Sequence, residues 1–508
     1  MGQHELLFGA AADPGHIFAT LSTRYQVHVE PTVDGRWMCL DTADWRLHRA
    51  NMTLRDSREG RRAQLVLSAD GNNFTASSSR LAWPRRAEGL PASAIRDLVA
   101  PAIGVRALLP LAEVNVRSMT LRILDNDEKT RVRVRVDQQR LAGANNAPLP
   151  LRVLVTPLRG YDPDGLRCES LLTEAMTPLP GETNAAEFAM AAAGHVPGQP
   201  PVVPPHLDPN RSAVESLTDV LRHWADVIDA VRAGVLADVD IEYLHEMRTA
   251  VRATRSMLTL GGHLLPVGDS SRFADEFRWL GKLTASVRDV DVALLELEGR
   301  GELDISGIEH LEPVQAHLAT RRRSALRTLR TAMESPRGRS LTGEWRDTLG
   351  KVEAPEVPDT NTRETAAEQA RVAYRRIIKA AGEVHTDTPA DDLHRLRRRC
   401  KRMRYLLDGY ESVYAPVPHR ELLGALKKLQ DCLGDIQDVD VQRAELADLA
   451  TSLTRRGAST DVVLAIGALR DRSLRRDTAA RAKLLRQLNR FRSAETRAAV
   501  RALGADAA

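Results

Sequence analysis

A basic segment occurs twice in this chain, 149 residues apart. His245, Arg248, Arg252 and Arg255 recur as His394, Arg397, Lys401 and Arg404, with the same steps of three, four and three. The same offset carries Asp289-Val290-Asp291-Val292 onto Asp438-Val439-Asp440-Val441. Such a duplication implies two equivalent structural units and two half-sites. A single run of arginines would describe a solvated helix face, whereas a matched pair at one spacing points to a constellation built twice.

On a helix turning about 100° per residue, positions 0, +3, +7 and +10 fall within an arc of about 80°. The four polar residues of each copy therefore form one stripe. Leu244, Met247, Val251 and Leu258 in the first copy, and Leu393, Leu396, Cys400 and Leu407 in the second, lie along a different face suited to burial in a bundle. Cations about 5 Å apart along a rigid element suit a ligand with closely repeated anionic groups. Two such rows facing one cleft would hold an extended polyanion. Further pairs keep the offset, Arg222 with Arg371, Arg321 with Arg470, Arg323 with Arg472 and Arg327 with Arg476, and all of these except Arg323 and Arg472 join the candidate contacts.

The rest of the chain reads as two domains of mixed class, α+β. Residues 1–180 carry strand alternation, as in Arg131-Val132-Arg133-Val134-Arg135-Val136 and Leu151-Arg152-Val153-Leu154-Val155. Residues 181–212 hold Pro197, Pro200, Pro201, Pro204 and Pro205 and have the composition of a linker. From residue 213 to about 500 the pattern is helical, and a break at Pro355 and Pro358 divides it into units of about 213–352 and 360–500. This predicts a pair of helical bundles related by a pseudo-two-fold axis.

Charge is concentrated locally, not over the whole chain. The 72 Lys and Arg against 68 Asp and Glu leave a formal net charge of +4, yet seven of the ten residues from Arg395 to Arg404 are basic. Cys39, Cys168, Cys400 and Cys432 have no metal-ligand spacing and read as reduced thiols. No secretory signal or long apolar run is present, which predicts a cytoplasmic protein without a membrane partner.

Each histidine opens its stripe, and imidazole titrates near neutral pH. Neighbouring arginines disfavour its protonation and a bound polyanion favours it, so binding is expected to take up protons. Asp289, Asp291, Asp438 and Asp440 are expected to orient nearby arginines from behind. Two carboxylates per copy could also hold a divalent cation, but so basic a neighbourhood opposes a bare metal site. The expectation is no metal and no cofactor.

At these residues the helical half resembles the CHAD family, the conserved histidine α-helical domain. The motifs are His245-Glu-Met-Arg248-Thr-Ala-Val-Arg252-Ala-Thr-Arg255, His394-Arg-Leu-Arg397-Arg-Arg-Cys-Lys401-Arg-Met-Arg404-Tyr405, Arg288-Asp-Val-Asp291-Val and Gln437-Asp-Val-Asp440-Val, over residues 213–500. The resemblance implies two four-helix bundles around a basic cavity, binding of inorganic polyphosphate, and location on polyphosphate granules.

Leu40-Asp41-Thr42-Ala43-Asp44-Trp45-Arg46-Leu47 and Met52-Thr-Leu54-Arg55 resemble a CYTH domain of the triphosphate tunnel metalloenzyme class. That implies an antiparallel β-barrel with carboxylates holding Mg²⁺ or Mn²⁺ against a triphosphate. The chain departs from the pattern. Gln3, Glu5 and Leu7 stand at the opening Glu-x-Glu-x-Lys, and Arg152, Leu154 and Thr156 where alternating glutamates belong. One residual carboxylate cannot hold a catalytic metal, so the barrel is expected to be inactive.

Polyphosphate binding without catalysis is therefore the leading expectation, against a triphosphate-processing enzyme or a nucleic-acid-binding protein. Aromatic residues make up 4% of the chain and only Tyr405 interleaves the stripes, which gives base stacking little support.

Overall fold

The computed structural model describes residues 4–78, 81–143, 146–180, 185–299, 310–353, 361–455 and 457–505. The chain divides into two compact units, Met1–Pro201 and Val202–Ala508. Gln3, Pro355 and Pro358, named above, lie outside the described residues.

The first unit contains β1 (His4–Phe8), α1 (Pro14–Ser22), β2 (Gln26–Val29), β3 (Val33–Asp41), α2 (Arg46–Arg49), β4 (Met52–Glu59), β5 (Arg62–Ala69), β6 (Asn72–Ser77), β7 (Arg85–Arg86), α3 (Ala94–Ile103), β8 (Ala107–Leu124), β9 (Thr130–Leu141), β10 (Leu151–Pro157), α4 (Asp162–Ala175) and α5 (Ala185–Ala192). Its strands pair in the order β1-β10-β9-β8-β3-β4-β5-β6, and β2 and β7 branch from β8. The path has free ends at β1 and β6, so the barrel is a curled half-barrel. Period-two alternation sorts the faces. Val132, Val134 and Val136 of β9 and Leu151, Val153 and Val155 of β10 are buried with Ile17 of α1 and Leu172 of α4. Arg133, Arg135 and Asp137 of β9 and Arg152 of β10 stand on the opposite face.

Part of the segment read as linker is helical. Ala185, Ala186, Ala189 and Met190 of α5 are buried in a cluster with Leu7, Trp37, Val114 and Val116. Alanine-rich sequence favours helix and is small enough to lie close against a sheet, so composition that resembles a flexible connector forms a packed layer instead. Further along, the Trp45 indole N–H donates to the Gln199 carbonyl at 2.6 Å.

The second unit contains α6 (Ala213–Ala237), α7 (Ile241–Gly261), α8 (Val267–Leu297), α9 (Glu312–Glu334) and α10 (Pro336–Gly350), followed by α11 (Thr362–Ala381), α12 (Ala390–Gly409), α13 (Pro416–Arg455), α14 (Thr460–Phe491) and α15 (Ala494–Ala502). Each repeat is thus four long helices with a shorter fifth. The apolar faces read from the sequence are inside: Leu244, Met247, Val251, Leu258, Leu393, Leu396, Cys400 and Leu407 are all buried. Among the described residues no helix is long and apolar enough to cross a membrane.

Equivalent parts of the repeats meet each other, as a two-fold relation requires. Helix α6 packs against α11 and α7 against α12, and Ser212 pairs with Asn361, its counterpart 149 residues on. The Ser216 and Thr362 hydroxyls lie 2.7 Å apart across the same junction.

The offset does not persist to the end. Ser335 and Ser493 cap α10 and α15, accepting hydrogen bonds from the backbone N–H of Gly338 and Thr496. Helix α10 packs on α6 as α15 packs on α11, so these caps are equivalent, and they are 158 residues apart. The helix leading into the second cap is correspondingly longer. Matches at 149 residues beyond the Asp-Val-Asp pairs therefore join positions that are not equivalent in space.

Candidate functional site

Helices α7 and α12 bring the two stripes into one cleft of about 500 Å³. His245, Arg248 and Arg252 from the first repeat line it together with Arg397, Lys401 and Arg404 from the second. Helix α8 adds Arg288, Asp289 and Glu296, and α13 adds Gln430, Gln437 and Asp438. Each helix is rigid along its length, so the cations project at fixed intervals.

Two ion pairs repeat across the pseudo-axis. Arg248 lies 3.8 Å from Asp289, and Arg397 lies 3.8 Å from Asp438. Both carboxylates are half-exposed, and pairs of this kind contribute at most about 1 kcal/mol each. The symmetry breaks at the next position, where Arg288 is matched by Gln437, whose side-chain carbonyl accepts a hydrogen bond from Arg397.

Burial and mutual repulsion depress the cationic groups. Burial pushes the Lys401 ammonium down to about 6, and Arg252 and Arg397 add to the effect. The same two influences lower His245, burial first and then Arg288. Arg248 and Arg397 also fall below the usual guanidinium range, again mainly through burial. Charge in the cleft is therefore held at a cost that an anion would relieve.

Other expected residues lie elsewhere. Arg255 lines an adjoining pocket, described below. His394 is hydrogen-bonded with Gln437 and is not among the residues lining the cleft. Arg222 donates to the Leu349 carbonyl at 3.0 Å, and Arg371 reaches the Arg501 carbonyl at 3.3 Å, so both tie helices together. Arg321, Arg323 and Arg327 sit on α9 and Arg470, Arg472 and Arg476 on α14, none of them lining the cleft. They fall past the point where the repeat changes length.

The acidic motif splits. Asp289 and Asp438 face the cleft, whereas Asp291 is buried and accepts from Arg322 at 2.5 Å. Arg322 also donates to both oxygens of Asp238 at 2.7 Å. Asp440 lies 3.7 Å from Arg443. Asp291 is thus hydrogen-bonded to an arginine outside the cleft, and Asp440 is only within ion-pair distance of one. Sequence reading passed over Arg288, although it stands within the quoted motif, and it passed over Arg322, whose only signal was its place in an arginine run.

In the first unit, the carboxylates of the polar sheet face do not fit a divalent cation. Both Glu5 oxygens accept from Arg152, at 2.9 and 3.2 Å. Asp137 accepts from Arg135 at 2.7 Å and from Ser118 at 2.6 Å, and Glu59 accepts from Arg135 at 2.8 Å. Guanidinium groups take the lone pairs that a metal would need. Among the described residues no cluster of His, Cys, Asp and Glu is arranged to hold a metal ion.

Uncharacterised proteins of two Mycobacterium tuberculosis strains are 30% identical over 287 residues, covering 52% of this chain and 50% of theirs. The chain thus spans about half the length of the curated relatives it matches. Among solved structures, the CHAD domain of the plant Ricinus communis is 24% identical, with a TM-score of 0.48 over 57% of this chain and 96% of that one. PptA from Streptomyces chartreusis is 18% identical, with a TM-score of 0.44 over 55% of this chain and 100% of that one. The sequence model of the CHAD domain family matches residues 216–447, and that segment of the chain is a CHAD domain.

Proposed function

We propose that the helical unit binds inorganic polyphosphate in the cleft between α7 and α12, without catalysis, and so associates the protein with polyphosphate granules. The observation that carries this reading is the convergence of the two basic stripes, 149 residues apart in sequence, on one cleft. A linear string of phosphates presents oxygens at short regular intervals, and each can accept a charge-assisted hydrogen bond from a guanidinium or ammonium group. His245, Arg248, Arg252, Arg397, Lys401 and Arg404 are the proposed contacts. The first unit, with its carboxylates bound to arginines, serves as a non-catalytic accessory.

The test is a titration of labelled long-chain polyphosphate with the full-length protein at rising salt. A steep decline in affinity with salt is expected. Arg248→Glu combined with Arg397→Glu should weaken binding by at least about a hundredfold, since each reversal removes an attraction and adds a repulsion of more than about 1 kcal/mol. Undiminished binding by this variant, or a shallow salt dependence, overturns the proposal. Displacement of polyphosphate by single-stranded or duplex DNA at equal phosphate concentration would favour the nucleic-acid reading. In cells, a fluorescent fusion should form foci that vanish when polyphosphate synthesis is removed.

A further inference from the structure

A second basic pocket adjoins the cleft, of about 210 Å³ and lined by six basic side chains: Arg252, Arg255, Arg278, Arg398, Lys401 and Arg402. It shares Arg252, Lys401 and Tyr405 with the cleft, so the two are continuous. Their charge balance differs. Asp289, Glu296, Asp408 and Asp438 stand among the cations of the cleft, whereas among the described residues no carboxylate lines the second pocket, Arg278 alone being paired behind it with Asp275 on α8. The charges there are close enough to oppose one another: Arg255 is depressed by burial first and then by Arg278, Arg252 and Arg402.

The pseudo-symmetric position on the other side is differently built. At the offset of 149 residues, Arg398 corresponds to Thr249, Arg402 to Ala253 and Arg278 to Lys427. Arg255 corresponds to Arg404, but Arg404 is paired at 3.4 Å with Asp408, whose own counterpart is Thr259. One side of the duplicated site thus carries Arg398 and Arg402 where the other has Thr249 and Ala253.

Resting on the polyphosphate reading, we infer that this pocket is a second phosphate subsite, present on one side of the pseudo-axis, which receives the continuation of a chain already held in the cleft. Chains long enough to cross the shared Arg252 and Lys401 ridge engage both sites, and the second contact is intramolecular and therefore strengthens binding without a new encounter. Short chains fill one site at a time. The bound polymer consequently leaves the cleft in one direction.

The experiment uses the full-length protein with two probes, tripolyphosphate and a long polyphosphate chain, measured by calorimetry. Arg278→Gln with Arg402→Gln, both at exposed positions, should lower affinity for the long chain about tenfold and leave binding of tripolyphosphate to the cleft within about twofold. Lys427→Gln, on the opposite side, should change neither. Wild-type affinity of the Arg278/Arg402 variant for the long chain overturns the subsite, and an equal loss from Lys427→Gln overturns its one-sidedness. Loss of both ligands in Arg248→Gln with Arg397→Gln supports the cleft itself, so failure of the subsite and failure of the polyphosphate reading are distinguishable. Unchanged thermal unfolding of each variant guards against misfolding.

Discussion

The Arg248 guanidinium lies 3.8 Å from the Asp289 carboxylate, and the pair repeats at the same distance as Arg397 with Asp438. That separation is an ion-pair distance, longer than a hydrogen bond, and both acids are half-exposed. The carboxylates therefore temper the charge of the cleft more than they fix the direction of the arginines. Asp289→Asn with Asp438→Asn should raise polyphosphate affinity by about two- to fivefold, because the loss of two repelling charges outweighs the weak pairs. A drop in affinity, measured by titration at fixed salt, would instead give these residues an orienting role.

Lys401 supplies a pH dependence. Its folded-state pKa, about 6, lies below that of the exposed side chain, so the unfolded chain binds more protons between the two values. The contribution of this group to the stability of the ligand-free protein therefore rises with pH from about 6 upward and is lost as pH falls through 6. Polyphosphate restores the charge, so binding takes up a proton above pH 6 and weakens as pH increases. Calorimetry at pH 7.5 in buffers of different ionisation enthalpy should register this uptake, reduced by Lys401→Arg. Buffer-independent heats would contradict it. His245, lowered by burial and by Arg288, adds a smaller uptake in the same direction.

Arg322 tests the separation of scaffold from site. It bridges the buried Asp291 and the loop residue Asp238. Arg322→Ala leaves Asp291 without its cation and should destabilise the helical unit by about 3–5 kcal/mol. Chemical denaturation would show the loss, while polyphosphate affinity under native conditions stays within about twofold. A selective loss of affinity with unchanged stability would move Arg322 into the binding machinery.

The first unit yields a negative prediction with a positive control. Because Arg152 occupies both Glu5 oxygens, added Mg²⁺ or Mn²⁺ should not stimulate phosphate release from tripolyphosphate above the rate of the Glu5→Gln variant. Metal-dependent release that Glu5→Gln abolishes would restore catalysis to this domain. Arg152→Gln should lower the melting temperature, since Glu5 and Asp137 both lose a donor.

The duplicated stripe, the apolar faces beneath it and the division into strand-rich and helical halves were legible in the sequence, because helical and strand periodicities are local and survive in one dimension. Which arginines converge was not. Arg222 and Arg371 share the offset with Arg248 and Arg397 yet hold helices together, and Arg321 with Arg470 falls where the repeat has changed length. Arg278, Arg398 and Arg402 meet because α8 and α12 pack around the same end of α7, a relation between distant segments. Likewise, an alanine-rich stretch in a proline-rich connector became a packed helix because the half-barrel offered it Leu7 and Trp37 as apolar partners. The sequence by itself determined the period and chemistry of each element, while tertiary packing decided which faces met, since burial of one surface depends on another that lies far along the chain.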